Sequence, residues 1–160
     1  MFPHVPFPAD HETFVRAAEM GAEIRTIQTF DRAPAALGNA AFVRLATVPT
    51  PGAVLAAGEP AGTRLTLCAD GSGQVDGVPA ALWDFEVSGY PVLRRWLEGR
   101  QGQTVDLALF DAFRDVCGRI AELMVLFEGA DAILADALDA PLTRDVLWPQ
   151  DDAAAPEPDA

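Results

Sequence analysis

A regular apolar stripe between Phe110 and Phe127 constrains the fold of this chain more than any other feature. Its side chains recur at spacings of three and four residues, which places them on one face of a helix. The stripe consists of Phe110, Phe113, Cys117, Ile120, Met124 and Phe127, with Leu109, Val116 and Leu123 beside it. The pattern predicts a long core helix over residues 106–128, capped by Thr104 or Asp106 and continuing to Leu138 beyond a kink at Gly129.

A second amphipathic helix is predicted over residues 11–30, with Asp10 as its N-cap. The residues before it, 1–9, include three prolines and should form an extended lead-in. The expected apolar face of this helix, which Ile27 widens, consists of Phe14, Ala17, Gly21, Ile24 and Gln28.

The segments between the two helices carry the signals of short strands and turns. Strands are predicted over residues 41–48 and 63–68, and Asp70 to Gly73 is expected to turn the chain into a return strand at Gln74-Val75. Residues 79–83 predict one helical turn, 84–88 an extended segment, and 91–99 a helix with Pro91 at its first position. The predicted fold class is α/β (α+β), a small, mostly antiparallel sheet packed with an N-terminal helix and a long C-terminal helix. Residues 1–148 are expected to form one domain, and 149–160 a disordered acidic tail.

The charge of the chain excludes several classes of function. It contains 24 acidic and 11 basic residues, a net charge of −13, and every basic residue is arginine. Without lysine the chain cannot be a P-loop NTPase or a Schiff-base enzyme. The acidity argues against a free-standing, nonspecific nucleic-acid binder, although it leaves room for a local basic patch.

Neither cysteines nor histidines form a metal-binding pattern. Cys68 and Cys117 lack a close partner in sequence and are expected to be buried thiols in a reducing compartment. His4 and His11 stand apart from other ligand types, so no metal and no cofactor is expected. Since the chain carries neither a signal peptide nor a membrane-spanning run, we expect a bacterial cytoplasmic protein without membrane contact.

Two patterns offer weak support for catalysis. Gly71-Ser72-Gly73 follows a predicted strand, as in nucleotide or S-adenosylmethionine loops, but residues 74–79 cannot open the helix that such a loop needs, which favours a hairpin turn. Asp84 and Glu86 are expected on the same side of a strand, either as an acid/base pair or, as favoured here, as a solvated or arginine-paired face. We therefore expect no enzymatic activity.

Within the stretch of residues 83–103, the segment 94–100 is locally positive in an otherwise acidic chain. Three arginines face a single nearby glutamate, Glu98, and two glutamines able to read adenine edges follow. The stretch is either a corner that grips phosphates and reads bases, or a helix whose arginines pair with the carboxylates of the chain. The candidate DNA-binding residues are Tyr90, Arg94, Arg95, Arg100, Gln101 and Gln103.

The same stretch resembles the signature of the C-terminal domain of type ISP restriction-modification enzymes. The residues that carry the resemblance are Trp83, Phe85, Val87, Gly89, Tyr90, Val92, Leu93, Trp96, Leu97 and Arg100. The opening Pro6 to Asp10 with its helix to Thr29, the segment Thr63 to Val78 and the helix Phe110 to Phe127 are also similar to that domain. The likeness covers residues 3–148.

The resemblance implies a domain that helps an N6-adenine methyltransferase to recognise specific duplex DNA. No methyltransferase, nuclease or helicase motif of that family occurs in this sequence, so the expected function is a non-catalytic recognition module. Its expected partners are duplex DNA, bound weakly by the chain alone, and a methyltransferase or restriction subunit. The alternative is an acidic protein-interaction module that docks on a separate restriction-modification subunit.

Overall fold

The longest helix begins directly after a capping aspartate. In the computed structural model, which describes residues 6–34, 43–143 and 146, the Leu109 N–H donates to Asp106 Oδ1 at 2.8 Å. Helix α4, Leu107–Asp139, follows as 33 continuous residues. Asp106 is therefore the cap, and the helix runs through Gly129 without a break to Asp139, one residue beyond the predicted continuation to Leu138.

The other elements are shorter. In chain order they are α1 His11–Gln28, β1 Arg44–Leu45, β2 Arg64–Thr66, β3 Gln74–Asp76, α2 Ala80–Trp83, β4 Glu86–Val87, β5 Tyr90–Pro91 and α3 Val92–Glu98. The first three strands form an antiparallel sheet in the order β1-β3-β2, and β4 pairs antiparallel with β5. The predicted class, small antiparallel sheets with an N-terminal helix and a long C-terminal helix, is confirmed.

The chain divides into two compact units, Met1–Ala22 with Glu128–Ala160 and Glu23–Phe127. In the first unit the chain before α1 pairs with the chain after α4, since the Ala9 N–H donates to the Ala140 carbonyl at 3.0 Å and the Leu142 N–H donates to the Phe7 carbonyl at 2.7 Å. Asp10 caps α1 as expected, accepting from the Thr13 N–H at 2.7 Å. This hydrogen bond lowers the pKa of Asp10 below its usual value. The predicted acidic tail, residues 149–160, lies outside the described residues.

The second unit contains the apolar core. Its fully buried side chains come from the end of α1, from the sheet and the loops next to it, from α2 and α3, and from the first half of α4; they include Ile27, Val43, Leu55, Leu65, Val75, Leu82, Leu93, Phe113, Cys117 and Ile120. Cys68 and Cys117 are both buried free thiols, and burial raises the pKa of Cys117 to about 12. Both therefore act as small apolar side chains, as predicted.

Three local predictions were wrong. The face expected to be buried on α1 is largely exposed, with Phe14 at 49%, whereas Thr13 and Ile27 are the buried positions. Pro91 precedes α3 as its N-cap in extended backbone rather than opening the helix. Strand β1 covers only part of the predicted 41–48 segment, of which residues 41–42 lie outside the described chain. A short sequence pattern does not by itself determine the bounds of an element or its buried side, because packing against other segments decides them.

The Gly-Ser-Gly segment is the turn of the β2–β3 hairpin, as predicted. Gly73 adopts a φ of +63°, and a Cβ on it would lie 2.9 Å from Cys68 Sγ.

Gly73→Ala is therefore expected to lower the free energy of unfolding by about 2 to 3 kcal/mol, measured by urea denaturation. The control Gly71→Ala, with a φ of +81° but open space around the Cβ, should cost only about 1 kcal/mol. Equal losses in the two variants would contradict the close approach.

Asp76 on β3 links the two neighbouring strands through arginines. Arg64 donates to it at 2.6 and 3.2 Å, and this hydrogen bond, together with the positive charges of Arg64 and Arg44, holds the pKa of Asp76 below its usual 3.8. Because the folded pKa is the lower one, this contribution to stability is complete above the unfolded pKa and is lost as the pH falls through the folded pKa. The stability difference between wild type and Asp76→Asn should therefore narrow from pH 7 to pH 3 in urea titrations. A constant difference would contradict this coupling.

Candidate nucleic-acid interface

A hairpin with a two-residue turn precedes the locally positive segment 94–100. Ser88 and Gly89, which join β4 to β5, both have positive φ, at 52° and 77°, as type I′ hairpin turns require. Helix α3 follows at once and is anchored by Leu93 and Leu97, which are buried in the core. Because these two positions face inward, the other side chains of α3 are divided between two sides of the helix.

The loop after α3 has a fixed backbone and exposed side chains. The Gly102 N–H donates to the Leu55 carbonyl at 2.9 Å, and the Leu55 N–H donates to the Gln103 carbonyl at 2.8 Å. The side chains of Gln101 and Gln103 are exposed. The loop thus presents two amide groups from a backbone that is hydrogen-bonded to the chain around Leu55 on both sides.

One side of α3 borders an aromatic groove of about 480 Å³. We define the aromatic groove by the three aromatic and three arginine side chains of its lining, Phe30, Tyr90, Arg95, Trp96, Arg100 and Arg119. Its other lining residues are aliphatic, apart from Gln28, and none of the described lining residues carries a carboxylate. The groove is therefore an apolar surface with arginines at its margin, two of which pair with carboxylates outside the lining, Arg95 with Glu98 and Arg119 with Asp115.

Two arginines of the aromatic groove lie against aromatic rings. The Arg100 guanidinium lies 3.9 Å from the centre of the Trp96 ring, and its Nη1 donates to the Trp96 carbonyl at 3.2 Å. The Arg119 guanidinium lies 4.0 Å from the Phe30 ring. Such cation–π contacts fix the direction of an arginine without neutralising its charge.

Arg119 is held from several directions. It is only 8% exposed, its Nη1 donates to the carbonyls of Ile27 at 3.0 Å and Arg32 at 2.9 Å, and its Nε donates to Asp115 at 2.8 Å. It thereby fastens the end of α1 and the following turn, which includes Phe30, to α4.

The opposite side of α3 borders a smaller cavity of about 230 Å³. We call it the glutamate cavity, because Glu59 and Glu98 line it together with Trp83, Arg94 and Gln101. Glu59 accepts a hydrogen bond from the Trp83 indole at 2.7 Å. The two carboxylates make this cavity unfavourable for phosphate.

Arg94 serves the structure around the glutamate cavity. Its Nη2 donates to Asp84 at 2.6 Å, its guanidinium lies 5.2 Å from the Trp83 ring, and its buried Nε has no hydrogen-bond partner among the described residues. Arg95, by contrast, forms an exposed ion pair with Glu98 at 2.7 Å. The arginine-pairing alternative thus describes both Arg94 and Arg95, but not Arg100, which forms no ion pair with a carboxylate of the described residues.

The predicted DNA-binding residues therefore occupy separate surfaces. Tyr90, Arg95 and Arg100 meet at the aromatic groove, Arg94 and Gln101 line the glutamate cavity, and Gln103 lines neither of these two. The sequence reading missed Arg119 and Phe30. A signal existed for Arg119, which interrupts the apolar stripe formed by Val116 and Leu123, but none existed for Phe30.

The weak catalytic patterns have structural explanations. Asp84 ends α2 rather than belonging to a strand, so it does not form the predicted strand face with Glu86. Asp70 accepts from the Ser72 side chain and N–H, and these hydrogen bonds lower the pKa of Asp70 below its usual value.

Within the described ranges, no cluster of three or more His, Cys, Asp or Glu side chains is suited to hold a metal ion. None of the helices in the described part of the chain has the length and apolar character to span a bilayer.

Comparison with known proteins identifies the family. The family model of the type ISP C-terminal specificity domain matches residues 1–124, which include both sheets, α3 and the aromatic groove. No curated protein and no solved structure matches the chain. The match spans more than three quarters of the 160 residues, and the chain belongs to the type ISP C-terminal specificity domain family.

Proposed function

We propose that this chain recognises a specific duplex DNA sequence for an N6-adenine methyltransferase of a type ISP restriction-modification system. Membership of the family supports a role in DNA target recognition within a restriction-modification enzyme. The observation that carries the finer proposal is the aromatic groove, where arginines gather without any lining carboxylate in a chain of net charge −13.

Arg95 and Arg100 are the proposed phosphate contacts. The ion pair of Arg95 with Glu98 joins side chains that are both more than half exposed, and such pairs contribute little, so a phosphate can replace the carboxylate. Arg100 forms no ion pair with any described carboxylate. Its guanidinium is held in place by Trp96, which reduces the entropy lost when it binds a phosphate.

Gln103 is the proposed base contact, since Gln101 lines the glutamate cavity, on the other side of α3 from Arg95 and Arg100. Glutamine can form two hydrogen bonds with the major-groove edge of adenine. The backbone hydrogen bonds of Gly102 and Gln103 to Leu55 support such a role, because a fixed backbone presents its side chains with a defined geometry. Arg94 has a supporting role, through its contacts with Asp84 and Trp83.

The negative charge of the rest of the chain favours a protein partner as well. The glutamate cavity, with Glu59 and Glu98, would suit a basic segment of the methyltransferase or restriction subunit. A partner of this kind would also offset the repulsion between the chain and DNA.

Gel filtration of the chain mixed with the methyltransferase of the same system tests this part of the proposal. Co-elution supports it, and separate elution contradicts it.

Selection from a randomised duplex library tests sequence recognition directly. The purified chain is expected to enrich duplexes that share one sequence over successive rounds, because base contacts discriminate where phosphate contacts do not. Enrichment without a shared sequence would contradict target recognition.

A further inference from the structure

We propose that the aromatic groove binds one unstacked nucleobase of the DNA, with Tyr90 as its stacking surface. The inference rests on the proposed function, since it names the part of the DNA that this surface accepts. Arg95 and Arg100 would hold the phosphates on either side of that base.

The size and lining of the groove fit a flat aromatic ligand. Its volume of about 480 Å³ lies within the range of about 300 to 1,000 Å³ that is common for small-ligand sites. Tyr90 is 56% exposed, which leaves it accessible to a ligand. Aromatic side chains beside arginines are the usual platform for unpaired bases, because every base has an apolar face for stacking and is joined to a negatively charged phosphate backbone.

Backbone strain is concentrated at the same place. Phe30 and Ser88 are the non-glycine residues with positive φ in the described chain, at 62° and 52°. Phe30 lines the groove, and Ser88 lies in the turn between Val87 and Tyr90, which both line it. Strain of this kind persists where the surrounding structure fixes the conformation, and it is enriched at binding sites.

The charge of the groove selects a polyanion rather than a neutral aromatic compound. Arg95, Arg100 and Arg119 all line it, and no described lining residue carries a carboxylate. Arg119 is occupied by carbonyls and by its ion pair with Asp115, which offsets its charge, so Arg95 and Arg100 are the arginines that would bind phosphate. A ligand that combines a planar base with phosphates on both sides satisfies both properties of the groove.

Two DNA probes test the inference on the full chain. One is a mixed-sequence, fully paired duplex, and the other is the same duplex with one additional unpaired 2-aminopurine. We expect the second probe to bind about tenfold more tightly by fluorescence anisotropy, since stacking of one base on an aromatic side chain contributes at about this level. The 2-aminopurine emission should also be quenched on binding.

Substitutions of Tyr90 assign the effect to the groove. Tyr90→Ala should abolish the preference for the unpaired base, Tyr90→Phe should preserve it, and Phe14→Ala, at an exposed aromatic outside the groove lining, should leave it unchanged. Equal affinity for both probes, or a preference that survives Tyr90→Ala, overturns the inference. If the paired duplex still binds in that case, the proposed function stands. Binding of neither probe overturns both.

Discussion

Replacing both Arg95 and Arg100 by alanine is expected to weaken duplex DNA binding about a hundredfold at low salt. Each hydrogen bond to a charged phosphate contributes about 1.5 to 3 kcal/mol, and about 1.4 kcal/mol corresponds to tenfold in affinity. Loss of two phosphate contacts should also reduce the slope of log affinity against log salt concentration by about 2. Fluorescence anisotropy with a labelled duplex over a salt series measures both quantities.

The matched control removes two arginines from the sheet. Arg44 and Arg64 lie on β1 and β2, outside the groove lining, and both interact with Asp76. Arg44→Ala with Arg64→Ala lowers the net charge equally, so any loss of affinity through net charge alone should appear in both double variants. Circular dichroism establishes that each variant is folded. Equal losses of affinity in the two double variants would contradict a DNA contact at the aromatic groove.

Arg119→Met is expected to lower the free energy of unfolding by about 3 kcal/mol. The substitution leaves the Ile27 and Arg32 carbonyls and Asp115 without the donors that Arg119 supplies, and buried polar groups without partners are costly. Arg119→Lys retains the charge but not the forked geometry, so it should recover only part of the loss. Urea denaturation followed by circular dichroism gives the free energies.

Arg114 provides the control on the same helix. Its guanidinium lies 5.9 Å from the Phe110 ring, and it forms no ion pair with a carboxylate of the described chain. Arg114→Met should therefore change the free energy of unfolding by less than about 1 kcal/mol. If Arg119→Met is equally mild, Arg119 does not hold the turn around Phe30 in the way that its hydrogen bonds indicate.

The elements with strong local signals could be predicted from the sequence. The stripe through Phe113, Cys117 and Ile120 identified α4 because each of these side chains is buried in the core of the same unit. The β2–β3 hairpin was predictable because Gly71 and Gly73 can adopt the positive φ that the turn requires. In these cases the local sequence pattern and the tertiary packing favour the same structure.

The groove and the exposed face of α1 could not be predicted in the same way. Phe30 follows α1 while Arg119 belongs to α4, and nothing in the sequence around either residue indicates their contact at 4.0 Å. Arg94 and Arg95 are neighbours in sequence, yet α3 directs them to opposite sides, so one lines the glutamate cavity and the other the aromatic groove. On α1, exposed Phe14 fits the helical period but not the buried side. Tertiary contacts between distant residues decide these features.

Competition between two duplexes tests target recognition most directly. Labelled duplex of the sequence enriched from the randomised library is bound by the purified chain, and unlabelled enriched or scrambled duplex then displaces it at one fixed salt concentration. Recognition of a specific sequence predicts that displacement needs at least about tenfold more scrambled than enriched duplex. A single mismatched base pair lowers the affinity by about this factor. Displacement at equal concentrations of the two competitors would contradict it.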